Sequence, residues 1–318
     1  MIEVEQSLMC HVPVMLRESI EWLRADAGGI FLDCTFGGGG HTEAILDAND
    51  GNFVYAIDRD PEAKARAREL SVLRKNFVFY QTNFADSQFL KMPPLDGIIM
   101  DLGVSSFQLD SPDRGFSFKD HVILDMRMDN TIGITADEFL RTACERDLIT
   151  AIRDYGEEED WKKVVHLVVK NRKNPELRYS DTFAKMISRA LSYKKRSKIH
   201  PATKTFQGIR IFINDELGSI ERALPIMFDR LKAGGRLVVI SFHSLEDRII
   251  KRFFNKVAGK AVDRFDSEYQ QNRISLANIL TKKPVCPTEG EIANNDRSRS
   301  AKMRVLEKVL DCPDAKNE

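Results

Sequence analysis

Two kinds of residue in this chain have the types and spacing to bind a nucleotide-like ligand. Four consecutive glycines, residues 37–40, stand directly before His41, and three aspartates, Asp33, Asp58 and Asp101, each follow a short apolar run. Glycines let a ligand approach backbone N–H groups, and a carboxylate accepts hydrogen bonds from ribose hydroxyls or pairs with a cation. The pattern therefore favours a ligand-binding loop over an ordinary tight turn.

The elements that must position these residues alternate between strand and helix. Apolar runs that predict buried strands occur at residues 29–32, 52–57, 77–80, 96–100 and 236–242. Such alternation predicts an α/β fold with a parallel sheet, whose ligands bind at the carboxyl ends of the strands. Asp33, Asp58 and Asp101 all stand at predicted strand ends, and residues 274–280 and 301–306 are candidates for two further strands.

Strand signals are replaced by helical periodicity between residues 116 and 203. Thr135 and Glu138 have the spacing of a capping box, and apolar residues from Trp161 to Val169 recur on one helical face. This pattern predicts an all-helical insertion at residues 116–203. The parent domain is then discontinuous, with residues 1–115 and 204–318.

Composition is that of a globular protein, with 318 residues, 42% of them hydrophobic and 30% charged. The formal net charge is zero, but basic clusters at residues 194–198 and 297–304 are candidates for phosphate contacts. Five scattered cysteines without CxxC spacing predict reduced thiols in a cytoplasmic protein and no metal site. The acidic N-terminus lacks the pattern of a signal peptide, and no apolar run approaches the roughly 20 residues of a membrane span.

The glycine run does not fit the two commonest phosphate-binding motifs. A dinucleotide fingerprint needs a third glycine where this chain has Thr42 or Glu43, and no Gly-Lys-Ser/Thr follows the run as in a P-loop. S-adenosylmethionine fits better, because it has a ribose and an adenine but no phosphate. Its amino and sulfonium ends require carboxylates.

Two residues have candidate roles toward such a ligand. Asp58 lies at the end of the second strand, where an acid accepts hydrogen bonds from ribose hydroxyls. It is also placed to cap the helix that begins at Pro61, although Asp60 suits that role better. Phe84 follows the third strand, where its ring is available to a base, although an isolated aromatic residue is more often part of a core.

Nine sequence motifs spread over nearly the whole chain resemble those of one enzyme family. They are HVPV (11–14), TFGGGGH (35–41), IDRDP (57–61), DLGVSS (101–106), DRGFSF (113–118), LDMRMD (124–129), HPATKTFQ (200–207), SFHSLEDR (241–248) and RSRS (297–300). The chain closely resembles the bacterial 16S ribosomal RNA (cytosine-N4)-methyltransferases (RsmH/MraW).

The resemblance implies a Rossmann-like class I S-adenosylmethionine-dependent methyltransferase sheet with an inserted helical domain that helps to hold RNA. Its implied substrate is N4 of a decoding-region cytidine in the 16S rRNA of the small ribosomal subunit, and it leaves homodimer formation open. The implied cofactor-binding residues are Gly39, Gly40, His41, Asp58, Phe84, Asp101 and Gln108. His41 and Gln108 enter this set only through the resemblance.

The residues that act on the substrate are less defined. Many amino-methylating enzymes have Asn/Asp-Pro-Pro-aromatic at the fourth strand end, but DLGV stands here at residues 101–104, so that comparison ends at Asp101. Ser105 and His243 are candidates for substrate contacts, and the alternative for His243 is a helix-entry hydrogen bond. Phe107 replaces the usual proline of the family. The alternative function is a non-catalytic RNA-binding ribosome assembly factor with a relic nucleotide fold.

Overall fold

The computed structural model describes residues 13–191, 199–267 and 273–309. The chain divides into two compact units, which are described separately. The first is built from residues 1–58, 62–102 and 223–318, and the second from residues 59–61 and 103–222. None of the helices in the described ranges combines the length and the apolar content needed to cross a bilayer.

The first unit contains a seven-stranded sheet. Its strands are β1 (Ile30–Asp33), β2 (Phe53–Asp58), β3 (Phe77–Gln81), β4 (Leu95–Asp101), β5 (Leu231–Ser241), β6 (Ala277–Ile279) and β7 (Lys302–Lys308). Their order is β3-β2-β1-β4-β5-β7-β6, in which β1 to β5 are parallel and β7 is antiparallel to both neighbours. The predicted α/β sheet is therefore confirmed, including the two C-terminal strands.

Helices connect these strands and make up most of the second unit. They are α1 (Leu16–Leu23), α2 (Gly40–Ala48), α3 (Pro61–Leu73), α4 (Ser106–Asp110), α5 (Ala136–Thr142), α6 (Glu145–Ile149), α7 (Trp161–Asn171), α8 (Ser180–Ala190), α9 (Thr203–Asn214), α10 (Glu216–Arg230), α11 (Ser244–Val257) and α12 (Glu289–Asn294). A π-helical turn, Thr150–Tyr155, follows α6.

The core of the first unit lies around the central strands. Ile98, Ile99 and Met100 of β4 are fully buried, and so is Val238 of β5. Successive buried residues show that these strands are covered on both faces, as parallel strands usually are. This is why they were recognisable in the sequence as continuous apolar runs.

The second unit has its own core, in which α9 crosses the π-helical turn at very close range. Phe139, Ile152 and Phe183 are among its buried members. A Cβ atom at Gly208 of α9 would lie only 2.0 Å from the carbonyl oxygen of Ala151. Glycine is therefore required at this crossing.

The division between the units differs from the predicted insertion at residues 116–203. The second unit extends over Gly103–Arg222. Long-range hydrogen bonds connect its ends to its centre: the guanidinium of Arg114 donates to the carbonyl of Met128, and the Asn214 amide donates to that of Met126. Such contacts leave no local sequence pattern.

Candidate functional site

The candidate site lies at the carboxyl ends of β1 and β4 in the first unit. β1 pairs with β2 on one side and with β4 on the other, so the strand order reverses at this point. In parallel α/β sheets, ligands bind in the crevice at such a reversal. The predicted glycine loop follows β1, and Asp101 ends β4.

The glycine loop is held in place by the predicted ribose acceptor. The N–H of Gly37 donates to Oδ2 of Asp58 over 2.7 Å, and the Gly37 carbonyl accepts from Nε of Arg66 over 2.9 Å. The structure thus brings the end of β2 against the loop after β1. Arg66 carried no signal in the sequence, because its partner is a backbone carbonyl.

Gly39 and Gly40 are required by the turn into α2. Gly39 has a φ of +87°, and a Cβ atom there would lie 2.9 Å from the ring of Phe36. A Cβ atom at Gly40 would lie 2.3 Å from Cγ of Pro13. Larger residues would therefore displace the loop and the backbone N–H groups at the start of α2, which have no partner inside the helix.

Asp33 connects the two ends of the loop. Its side chain is buried, with Oδ1 accepting from the N–H of Thr35 (3.0 Å) and Oδ2 from the hydroxyl of Thr42 (2.7 Å). Burial raises the pKa of Asp33, and the hydrogen bond from Thr42 opposes this. Thr42 thus has a structural role at the position where a dinucleotide fingerprint would have glycine.

Asp101 differs from Asp33 in having an acceptor without a partner. Its N–H donates to Oγ1 of Thr35 over 2.8 Å, which joins β4 to the glycine loop. Its side chain is 23% exposed, yet Oδ1 is buried and has no hydrogen-bond partner among the described residues. Burial raises the pKa of Asp101 well above its usual range, with further contributions from Asp33, Glu246 and Glu291.

His41 presents a second acceptor beside Asp101. Its buried ring places Nε2 3.1 Å from the carbonyl oxygen of Val14. Because a carbonyl only accepts, we assign the proton of the neutral ring to Nε2, and Nδ1 is then an acceptor. Nδ1 lies 3.8 Å from Oδ2 of Asp101, and burial lowers the pKa of His41 to about 4.

Phe84 begins the 3-10 turn that follows β3. The side chain of Asn83 accepts from the N–H of Ala85 over 3.0 Å and fixes the start of this turn. Phe84 itself is half-buried. Its predicted contact with a base stays a prediction.

Gln108 and Ser105 lie in the second unit and form a capping box at the start of α4. Oγ of Ser105 accepts from the N–H of Gln108, and Oε1 of Gln108 accepts from the N–H of Ser105. Nε2 of Gln108 also donates to Oδ2 of Asp60 over 2.7 Å. The predicted ligand and substrate roles of Gln108 and Ser105 stay predictions. Phe107 is in the first turn of α4, where a helix accepts proline as well.

His243 is the N-cap of α11. Its Nδ1 accepts from the N–H of Glu246 (3.4 Å), and Oε2 of Glu246 accepts from the N–H of His243 (3.2 Å). The helix-entry hydrogen bond of His243 is therefore present. A substrate contact of His243 stays a prediction.

Comparison with known proteins agrees with this arrangement. The model of the MraW methylase family matches residues 8–309. The chain belongs to the MraW methylase family. The resemblance found in the sequence is thereby confirmed, and every residue of the candidate site lies inside the matched range.

Two relatives of this MraW methylase are similar over nearly their whole length. The Rickettsia akari protein is 44% identical over 313 residues, covering 95% of this chain and 100% of the relative. The Rickettsia bellii (strain OSU 85-389) protein is 44% identical over 306 residues, covering 94% and 99%. Both are named ribosomal RNA small subunit methyltransferase H.

A solved structure is similar at a lower level. It is an rRNA methylase from Streptococcus thermophilus, with a TM-score of 0.38, 13% identity, and coverage of 93% of this chain and 94% of that one. The assignment to the MraW methylase family rests on the sequence matches.

Two further predictions from the sequence concern a basic cluster and the cysteines. The basic cluster at residues 194–198 falls outside the described residues of this MraW methylase. Of the five cysteines, Cys34, Cys144 and Cys286 lie in the described ranges and form no disulfide.

Proposed function

We propose that this protein transfers a methyl group from S-adenosylmethionine to N4 of a decoding-region cytidine in 16S rRNA of the small ribosomal subunit, in the cytoplasm. The family match over residues 8–309 carries the proposal. Relatives named ribosomal RNA small subunit methyltransferase H support an RNA substrate.

The open acceptors at the crevice support a cationic methyl donor. Oδ1 of Asp101 is buried without a partner among the described residues, and Nδ1 of His41 faces the same carboxylate. An ammonium group has three N–H donors and satisfies both acceptors. The negative charges that raise the pKa of Asp101 also favour a bound cation. The amino end of S-adenosylmethionine fits this position.

The other end of the donor fits the glycine loop. Asp58 ends β2 beside the glycine loop and accepts a hydrogen bond from the N–H of Gly37, and an acid at this strand end is placed to accept from ribose hydroxyls. We assign the sugar to the loop between Gly37 and Gly40, and the adenine to the ring of Phe84. We assign the cofactor contacts of Gly39, Gly40 and Gln108 on the family resemblance.

The chemistry expected of the protein is chiefly orientation. S-adenosylmethionine, when bound, supplies a methyl group that its sulfonium already activates. The amino group of cytosine is a poor nucleophile, because its lone pair is delocalised into the ring. A rigidly placed acceptor for its N–H would favour the nucleophilic form and hold it in line with the methyl group. Ser105 and His243 are our candidates for this role.

The test is methyl transfer to ribosomal RNA from cells that lack the protein. Small ribosomal subunits from these cells are incubated with the enzyme and radiolabelled S-adenosylmethionine, and the RNA is digested for nucleoside mass spectrometry. We expect label in N4-methylcytidine, and none with subunits from wild-type cells, which are already modified. RNA binding without methyl transfer would support the assembly-factor alternative instead, and label in another nucleoside would overturn the proposed target.

A further inference from the structure

The second unit carries a helix with a strongly cationic outer face. Val164, Val165 and Val168 of α7 are buried in the core of this unit. The 3.6-residue period places the remaining residues on the opposite side of the helix. This cationic face consists of the exposed residues Lys162, Lys163, His166 and Lys170 of α7, together with exposed Lys173, which follows the C-cap of the helix.

Ion pairs involve only part of the cationic face. Four acidic residues at 157–160 directly precede α7, and the sequence from Trp161 to Lys173 contains none. Lys163 pairs with Asp160 over 3.1 Å. In the part of the chain that the structure describes, no carboxylate lies within 4.0 Å of the ammonium groups of Lys162, Lys170 or Lys173.

Helix stability does not account for this charge pattern. Lys162, His166 and Lys170 are spaced four residues apart on one side of the helix, and no acidic residue stands among them to form the stabilising i,i+4 ion pairs. Lys162 and Lys163 lie in the first turn, where the helix dipole disfavours cations. In the same unit α5, α6 and α8 all have acidic residues in their first turns. The lysines at the start of α7 therefore oppose the usual arrangement.

We propose that the cationic face of α7 binds phosphate groups of the RNA substrate. The identity of the partner, RNA, rests on the proposed function. The choice of α7 as the contact rests on charge complementarity between its lysines and phosphate groups. Lys162 and Lys170 are about 12 Å apart along the helix axis, so the face can contact more than one phosphate. A membrane surface is disfavoured, because the apolar side of α7 is already buried in the protein core.

The experiment measures the salt dependence of RNA binding by the full-length protein. The probe is deproteinised 16S ribosomal RNA, and the variant carries Lys162→Glu, Lys170→Glu and Lys173→Glu. The affinity K falls as salt rises, and each phosphate contact adds roughly 0.7 to 0.9 to the steepness of log K against log salt. Loss of three contacts should therefore make this line less steep by about 2 to 3. At about 0.1 M salt we expect RNA affinity to fall roughly tenfold or more.

Three control proteins separate a phosphate contact from a general effect of charge. Lys64→Glu, Lys75→Glu and Lys256→Glu together make the same change in net charge at exposed positions outside the second unit, and we expect a slope close to that of the wild type. Arginine at positions 162, 170 and 173 keeps the charge and should keep the slope. Glutamine at these positions removes the positive charge without introducing a negative one, and it should make the salt dependence less steep. This variant provides a second test if the glutamate variant folds poorly.

Two outcomes would overturn the inference: a wild-type slope in a folded variant that lacks the three lysines, or an equal loss in the control from the first unit. Circular dichroism establishes that each protein is folded. If the wild type binds RNA through α7 but transfers no methyl group, the proposed function fails while the α7 contact stands. If methyl transfer occurs and α7 has no effect on RNA binding, only the α7 contact fails.

Discussion

Nδ1 of His41 and the carboxylate of Asp101 face each other across the crevice as two acceptors. Nδ1 of His41 lies 3.8 Å from Oδ2 of Asp101, while Nε2 of the same ring is directed to the carbonyl of Val14. The pair joins the start of α2 to the end of β4. While Asp101 is ionised, this arrangement is unfavourable unless a donor enters, so it marks a position that favours a cationic ligand.

The buried His41 should make the folded protein less stable in acid. Its pKa is about 4 in the folded protein, against an ordinary value of 6.5. As the pH falls between these values, the unfolded chain binds a proton that the folded protein does not. The free energy of unfolding therefore decreases by about 3 kcal/mol in total, and this contribution is constant above the upper value. Urea unfolding at a series of pH values measures it.

The His41→Gln variant isolates this contribution. Glutamine keeps an amide that can donate to Val14 but does not titrate. The raised pKa values of Asp33 and Asp101 act in the opposite direction, since they favour the folded protein as the pH falls. They are present in both proteins, so the difference between the two curves reports His41. Parallel curves for wild type and variant would contradict the prediction.

Asp58 and Asp101 should be separable with two ligands. 5′-Methylthioadenosine has the ribose and adenine of S-adenosylmethionine but lacks the amino acid end. Asp58→Ala should weaken binding of both ligands roughly 10- to 100-fold, because hydrogen bonds to charged groups contribute about 1.5–3 kcal/mol. Asp101→Asn should weaken only S-adenosylmethionine. Titration calorimetry measures all four affinities, with exposed Asp50→Ala as the control. Equal weakening of both ligands by Asp101→Asn would refute the ammonium assignment.

The strands were predictable from sequence because each is a local pattern. Buried parallel strands appear as continuous apolar runs, and the aspartates at their ends follow from chain direction alone. The start of β5 was not predictable: it begins at Leu231, ahead of Gly234 and Gly235, and its pairing with β4 shifts between Leu95 and Gly97. α10 likewise continues through Pro225. These features depend on neighbouring elements.

The candidate site was predictable only in part, for a related reason. The strand-end positions of Asp58 and Asp101 were sufficient to select them. The different roles of Asp33 and Asp101 depend on whether a threonine hydroxyl lies within reach, which sequence spacing does not show. The acceptor role of His41 depends on the carbonyl of Val14, 27 residues away.

Gly39 should be more sensitive to substitution than another glycine of the same conformation. Gly39 and Gly234 have φ values of +87° and +83°, but a Cβ atom would meet Phe36 at the first position and nothing within 4 Å at the second. Each alanine variant bears the cost of a left-handed backbone, about 1–2 kcal/mol. Only Gly39→Ala should also lower the affinity for S-adenosylmethionine in calorimetry. Equal affinities for the two variants would show that the loop tolerates a side chain.

The buried ion pair of the second unit should be far more important for stability than an exposed one. Nη1 of Arg114 lies 3.1 Å from Oδ2 of Asp60, and the two side chains are 6% and 4% exposed. Removing one partner of such a pair leaves a buried charge, so Arg114→Met should lower the free energy of unfolding by about 3–5 kcal/mol.

Arg141→Met is the matched control for Arg114→Met. Arg141 pairs with Asp137 over 2.9 Å but is 42% exposed, and the buried Asp137 carboxylate keeps a second partner in Arg178 at 3.3 Å, so the loss of Arg141 should cost less than about 1 kcal/mol. Combining Arg114→Met with Asp60→Leu should recover part of the lost stability, because the uncompensated carboxylate is then absent. Urea unfolding of the full chain measures each variant. If Arg114→Met costs no more than Arg141→Met, the ion pair does not hold residues 59–61 to the second unit.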